Sequence, residues 1–201
     1  MKLPYYRGIF LHSSFVLAFL FGFSINAQIV QIGQDIDGEA TSDYSGRSIS
    51  INAAGDRVAI GADYNDGNGN VAGHVRIYEW SGGSWAQQGQ DIDGEAAGDY
   101  SGSSVSMNAA GDRVAIGATG NDGNGSYAGH VRIYEWNGTS WTKFGQDIDG
   151  EAGSDYSGGS VSMNAIGDRV AIGASYNDGN GNVAGHVRVY EWSGTAWSQL
   201  G

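Results

Sequence analysis

The 201-residue chain contains no cysteine, a single proline and only 10 Lys+Arg against 22 Asp+Glu. Without cysteine there are no disulfides, no thiolate metal centre and no thiol nucleophile, and a lipid attached to a cysteine after leader removal is excluded. The shortage of basic residues argues against nucleic acid and anionic membrane as partners, because both are held by Lys and Arg neutralising phosphates. No window beyond the first 27 residues shows helical periodicity, and no apolar run there approaches the ~20 residues of a membrane span. Such a chain must hold itself together by backbone ladders and packing alone.

Residues 1–27 read as a secretory signal peptide. Lys2 and Arg7 precede an apolar run from Phe15 to Ile25, which closes on Asn26-Ala27. Cleavage after Ala27 leaves 8 basic against 22 acidic residues, a net charge of −14. Secretion or display at the cell surface is the expected location, with no membrane span after cleavage.

What the chain has in abundance is repetition. Gly-Gln-Asp-Ile-Asp-Gly-Glu-Ala occurs at Gly33, Gly89 and Gly145, so residues 28–201 hold repeats 33–88, 89–144 and 145–200 at a constant period of 56. A period of this size marks stacked copies of one supersecondary unit. Each copy contains four short extended runs. In the first copy these are Ser48–Asn52, Arg57–Gly61, His74–Trp80 and a run starting at Trp85. Ala53-Ala-Gly-Asp56 and Ser81-Gly-Gly-Ser84 separate them as hairpin turns. Apolar residues recur at every second position, which assigns an all-β class.

Val75 and Ile77 fall on one face of the third run, Tyr78 and Trp80 on the other. A four-stranded antiparallel meander with two apolar faces must be covered on both sides. Copies arranged about an axis, as in a β-propeller, achieve this. Three blades are fewer than a usual ring, so the ring is expected to be incomplete. Ile29–Gly33 aligns with the fourth run and reads as a spare strand. Either a longer propeller or two self-associating chains would complete the circle through the open blade edges.

Three motifs, Asp43-Tyr-Ser-Gly-Arg-Ser-Ile-Ser50, Gly55-Asp-Arg-Val-Ala-Ile-Gly-Ala62 and Gly73-His-Val-Arg-Ile-Tyr78, recur in every copy. Together they resemble the FG-GAP repeat, found in the propeller of integrin α subunits and in many bacterial surface proteins. The Phe-Gly position corresponds to Tyr44 with Ser45-Gly46, and Gly-Ala-Pro to Gly61-Ala62-Asp63, without the proline. The resemblance implies a β-propeller acting in interaction or adhesion. The calcium loop of that family does not carry over, because Asn52-Ala-Ala-Gly-Asp56 is too short and too apolar to supply six to eight oxygens.

Several residues remain as candidates. Asp66 and Asn68, with Asp122 and Asn124 and with Asp178 and Asn180, begin loops of alternating oxygen ligands. These are either weak calcium sites or glycine-rich turns in which Asn and Asp bond locally. The Asp35-Ile-Asp-Gly-Glu39 element could present carboxylates to a cation or a basic partner. Alternatively Asp37 caps local amides and Glu39 pairs with an arginine such as Arg57. His74, His130 and His186 occupy one position per copy, which suits a strand-start histidine bonded to a neighbouring turn. Tyr78, Trp80 and Trp85 and their copies read as blade packing, with tryptophans on the surface as an alternative platform for sugars.

No serine nucleophile motif, His-Asp relay or carboxylate pair unique to one copy is present, so catalysis is not expected. The copies differ at few places, among them Arg47 against Ser103 and Gly159, Tyr64 against Gly120, and Val71 against Tyr127. The expected function is a non-enzymatic interaction or adhesion module with a protein or glycan ligand. A carbohydrate-binding module using exposed tryptophans and a calcium-stabilised repeat domain are the alternatives.

Overall fold

The computed structural model describes residues 29–201. The leader therefore lies outside the described residues. Residues 33–201 form one compact unit. Its first sheet comprises β1 (Ser48–Ile51), β2 (Arg57–Ala62), β3 (His74–Ser81) and β4 (Ser84–Gln87), hydrogen-bonded in that order. A two-residue strand, β5 (Ile92–Asp93), pairs with the start of β3. The second sheet repeats this with β6 (Ser101–Met107), β7 (Arg113–Ala118), β8 (His130–Trp136), β9 (Trp141–Lys143) and β10 (Ile148–Asp149). The third has β11 (Ser160–Met163), β12 (Arg169–Ala174), β13 (His186–Trp192) and β14 (Trp197–Gln199). Every strand pair within these sheets is antiparallel, and no helix occurs among the described residues. The three repeats are thus three blades of a propeller-type all-β fold.

The first hairpin of each blade is closed by one asparagine. Asn108 Oδ1 accepts the N–H groups of Gly111, Asp112 and Arg113 at 3.0, 3.1 and 3.0 Å, and its Nδ2 donates to Asp112 Oδ1 at 2.7 Å. A short amide side chain that mimics the backbone is why Asn stands at this turn. Gly111, at φ 76, supplies the left-handed residue that the turn needs.

Blades stack with β6 laid mainly against β1 and β2. Val75, Ile77 and Ala59 of the first blade pack on Val105, Met107, Val114 and Ile116 of the second, with Trp141 completing the layer. Val131, Ile133 and Ala115 pack in the same way on Val170, Ile172 and Trp197 of the third. All six tryptophans are buried or half-buried. Trp141 Nε1 donates to Gln88 O at 2.9 Å and Trp197 Nε1 to Phe144 O at 2.9 Å, both across a blade junction. Trp141 and Trp197 are thus taken up by junctions that bury a large apolar ring and satisfy its N–H together, while Trp80, Trp85, Trp136 and Trp192 stay half-buried.

The glycine of the Arg-Val-Ala-Ile-Gly-Ala strand has a steric cause. A Cβ on Gly61 would lie 2.2 Å from Gly102 O, and one on Gly117 would lie 2.1 Å from Gly158 O. No side chain fits where the second strand of one blade meets the entry of the next.

One expectation fails. Residues 29–33 contain no strand. A fourth strand needs the third strand of its own blade as a ladder partner, and none precedes it among the described residues.

Candidate functional site

The segment entering each blade and the loop joining its second and third strands lie at the same end of the sheet. In the first blade, buried Asp43 ties them together. Its Oδ2 accepts Ala40 N–H at 3.1 Å and Asn65 Nδ2 at 2.9 Å, while Asn65 Oδ1 accepts Gly67 N–H at 2.8 Å. Asp99 with Asn121 and Asp155 with Asn177 repeat this latch. Each latch fixes its flanking tyrosines.

Tyr44, Tyr100 and Tyr156 follow the latch aspartate with φ of 53, 54 and 51. A bulky residue rarely adopts the left-handed region. Here a tight turn holds it: Tyr44 O accepts Arg47 N–H at 3.0 Å, with Gly46 at φ 91 as the third residue. Val71, Tyr127 and Val183 in the second loop are also left-handed, at 47, 54 and 52. Strain of this kind, kept by a surrounding network, gathers at binding and catalytic sites.

The consequence is a row of tyrosines along one end of the blades. Tyr44 and Tyr64 meet edge to face at 4.9 Å and Tyr64 and Tyr100 at 5.4 Å, while Tyr127 and Tyr156 at 5.5 Å and Tyr156 and Tyr176 at 5.1 Å pack with tilted rings. Tyr44, Tyr64, Tyr127 and Tyr176 are exposed. The second blade departs from the pattern in a compensated way. Gly120 replaces the tyrosine of position 64, since a Cβ there would lie 2.0 Å from Gly98 O and 2.6 Å from Tyr100 Cδ2. Tyr127 instead supplies the ring where the other blades carry valine.

Within this row lies a cavity of about 470 Å³, lined by Tyr64, Tyr100, Tyr127 and Tyr156 together with Arg47, Asp63, Ser103, Thr119 and Gly159. Arg47, Ser103 and Gly159 are one repeat position, and Asp63 and Thr119 another. Equivalent positions from consecutive blades converge only if they lie nearest a common axis, as in a propeller. Several positions at which the three copies differ, 47, 63 and 127 among them, thus meet in one place, while others such as Gln88, Phe144 and Leu200 do not line it.

The first blade contributes the only charges of that lining. Arg47 Nε sits 3.1 Å from Asp63 Oδ2. Asp63 is 3% exposed, and its Oδ1 is buried without a hydrogen-bond partner. Burial pushes the Asp63 carboxyl above its usual range while the Arg47 guanidinium pulls it back. An unsatisfied buried carboxylate oxygen is costly and has a use when something donates to it. Sequence alone displayed these differences one by one, with no sign that they meet.

The other polar clusters are built on the histidines. His74 Nδ1 lies 3.8 Å from Glu39 Oε2, His130 Nδ1 3.9 Å from Asp149 Oδ1, and His186 Nδ1 3.6 Å from Glu151 Oε2. The partner is therefore a carboxylate of the inter-blade segment, where a neighbouring turn was expected. Glu39 pairs with Arg76 at 3.4 Å, and Arg57 pairs with Glu79 at 3.0 Å, so the expected Glu39–Arg57 pair is also corrected. The arginine of Gly-His-Val-Arg lies beside Glu39, while Arg57 faces Glu79 across the β2–β3 ladder. Glu39, His74 and Asp91, and likewise Glu95, His130 and Asp147, bring ligand-type atoms within 4.8 Å of one another. Yet buried Arg132 donates to Asp93 O at 2.9 Å and stands 3.2 Å from Glu95 Oε1, so a guanidinium already neutralises that acid. Burial, aided at His130 by Arg132, holds the His74 and His130 imidazoles below their ordinary pKa.

The candidate calcium ligands serve their own loops. Asp66 Oδ1 accepts Val71 N–H at 2.7 Å, Asp122 Oδ1 accepts Tyr127 N–H at 2.8 Å, and Asp178 Oδ1 accepts Val183 N–H. Asn68 donates to Gly94 O at 2.7 Å and Asn124 to Gly150 O at 2.8 Å. The same loops carry the left-handed Val71, Tyr127 and Val183, so these carboxylates stabilise the strained turn beside the cavity. Asn180 belongs to the third such loop.

No protein-family model matches the chain, and no curated protein does so. Among solved structures it is similar to a candidate 6-phosphogluconolactonase from Bacteroides uniformis, at 7% identity and a TM-score of 0.50. That match covers 77% of this chain and 39% of that one. It is also similar to the β-propeller domain of Myceliophteria thermophila Cps50 (Swd1), at 12% identity and a TM-score of 0.48 over 82% of this chain and 41% of that one. Kuenenia stuttgartiensis hydrazine synthase is similar at 8% identity and a TM-score of 0.48, over 83% and 38% of the two chains. At such identities the likeness to the first concerns the fold alone. The chain spans well under half the length of these structures.

Proposed function

We propose that the chain is an exported, non-enzymatic binding module built from FG-GAP-type blades, and that its ligand is a glycan held at the tyrosine-lined cavity. One observation carries this reading: residues 47, 63 and 127, each different from its counterparts in other blades, line a single cavity beside the buried Asp63. Positions 47, 63 and 127 are not needed to make a blade, since other blades carry different residues there. Their convergence is what selection for a ligand leaves behind.

The lining suits a sugar. Tyrosine faces accept the C–H faces of a pyranose, and their hydroxyls hydrogen-bond at its rim. Buried Asp63 holds the half-exposed Arg47 in place, and Arg47 and the tyrosine hydroxyls donate to sugar oxygens. A cationic ligand is disfavoured, because Arg47 already neutralises Asp63 at 3.1 Å. Loops presented on a rigid β scaffold are the usual seat of such binding.

The test is a glycan array on the purified protein, followed by titration of the best sugar against Arg47→Ser, Asp63→Thr and Tyr127→Val. Each substitution installs the residue that another blade carries at the same position, so folding is retained. Loss of a hydrogen bond to a charged group corresponds to a fall of roughly 10- to 100-fold in affinity for Arg47→Ser, and Asp63→Thr, which frees Arg47, should weaken binding in the same direction. A blank array, or sugar binding indifferent to all three substitutions, refutes the proposal. Capture of a protein ligand that these variants abolish would keep the site and replace the glycan.

A further inference from the structure

Between neighbouring blades the junction is the same twice over. Ser48 Oγ donates to Gly102 O at 2.7 Å and Ser104 Oγ to Gly158 O at 2.6 Å. Met107 N donates to Ser50 Oγ and Met163 N to Ser106 Oγ, both at 2.9 Å. Ala53 N donates to Ala109 O at 3.1 Å and Ala109 N to Ala165 O at 3.0 Å. The stack therefore has two unlike, mutually complementary faces, and both are open in residues 33–201.

On the first blade Ile49 and Ile51 are 68% and 59% exposed, whereas their equivalents Val105 and Met107 are 8% and 7% exposed. On the third blade Val187 and Val189 are 67% and 36% exposed, whereas Val131 and Ile133 are covered. The third blade also presents Ser160, Ser162 and Ala165 in exposed positions. A cavity of about 480 Å³ opens there, lined by Gly159, Ser160, Gly173 and Val187 among others. It lies where Gly102 O and Gly158 O enter the two internal junctions.

We propose that a second copy of this chain occupies both faces, closing a ring in which the third blade of each copy docks on the first blade of the other. The internal junction specifies the contacts. Val187 and Val189 of one copy cover Ile49 and Ile51 of the other, Ser160 Oγ donates to Gly46 O, and Ala165 N donates to Ala53 O. A head-to-tail interface either closes or polymerises. Propellers have about four to eight blades. Two copies of residues 33–201 bring six blades together, which falls within that range, and three copies exceed it.

Size-exclusion chromatography with light scattering on the purified protein, across about a hundredfold range of concentration, tests this. The expected mass is twice that of the chain. Ile49→Lys and Val187→Glu, each at an exposed site of the single chain, should each give the single-chain mass with an unchanged circular dichroism spectrum. Gly173→Ala should do the same without adding charge. Its Cβ meets only the Ser160 side chain within the chain, but in the ring it would meet the backbone of the second copy. Thr139→Lys, in an exposed turn, should leave the dimer intact. A single-chain mass for the unaltered protein overturns the proposal, as does a ladder of growing masses or a dimer indifferent to the three face variants.

Discussion

Replacing Asn108 by alanine should destabilise the protein far more than the same change at Asn164, although both close the same hairpin. Asn108 is 3% exposed, and its side chain makes four bonds inside the turn plus a contact of 3.4 Å to Ile166 O in the next blade. Alanine removes the acceptor for the Asp112 and Arg113 N–H groups and the donor to Asp112 Oδ1, while Gly111 N–H keeps its backbone bond to Asn108 O at 3.1 Å. At roughly 1 kcal/mol net for each of these three bonds, the loss is about 3 kcal/mol, with more where water cannot enter. Asp112 and Arg113 are half-buried. Asn164 accepts the same three N–H groups at 3.0, 3.1 and 3.0 Å, but it is half-buried and Arg169 is exposed. Water replaces most of what is lost there, leaving a cost of about 1 kcal/mol. For a domain of this size, each kcal/mol moves Tm by about 2–4 °C. The expected falls are then roughly 6–12 °C for Asn108→Ala and about 3 °C for Asn164→Ala. Calorimetry on both variants decides it. Equal falls, or a fall below about 2 °C at Asn108, would show that the side chain does not carry the turn.

Two further outcomes follow from the junctions and the histidines. Gly117→Ala places a methyl 2.1 Å from Gly158 O, so two blades must separate. A loss of about 1–3 kcal/mol is expected from that overpacking, read as urea midpoint, and an unchanged midpoint would refute the close approach. His74 and His130 are held below their ordinary pKa by burial, so the unfolded chain binds more protons than the folded one near pH 6. Their contribution is complete above about pH 6.5 and is lost as the pH falls through the depressed value. Tm should therefore drop between pH 7.5 and 5, and His130→Gln should flatten that drop. A parallel curve for the variant would place the pH dependence elsewhere.

Much of the scaffold was legible in the sequence because it depends on local chemistry. Alternation at positions 48–51 and 74–80 places apolar side chains on defined faces, and Ala-Ala-Gly-Asp turns close the hairpins between them. The three strand starts Ser48, Arg57 and His74 stand where the pattern puts them. The tryptophans were assignable to packing for the same reason, as part of a period-two pattern. What failed was long-range pairing. Glu39 meets Arg76 rather than Arg57, because the inter-blade segment returns beside the start of β3, and no periodicity encodes that return.

The site was illegible for a related reason. Arg47, Asp63, Tyr127 and Gly159 span more than a hundred residues of chain, and in sequence each is a minor deviation from a repeat. The sequence by itself determined that three closely similar all-β units exist, where their strands begin and which positions vary between copies. Tertiary structure alone decided that these four meet. Blades set about a common axis bring equivalent positions together, so small differences between distant copies add up to one asymmetric cavity. The same arrangement leaves Ile49 and Val187 uncovered at opposite ends of the stack.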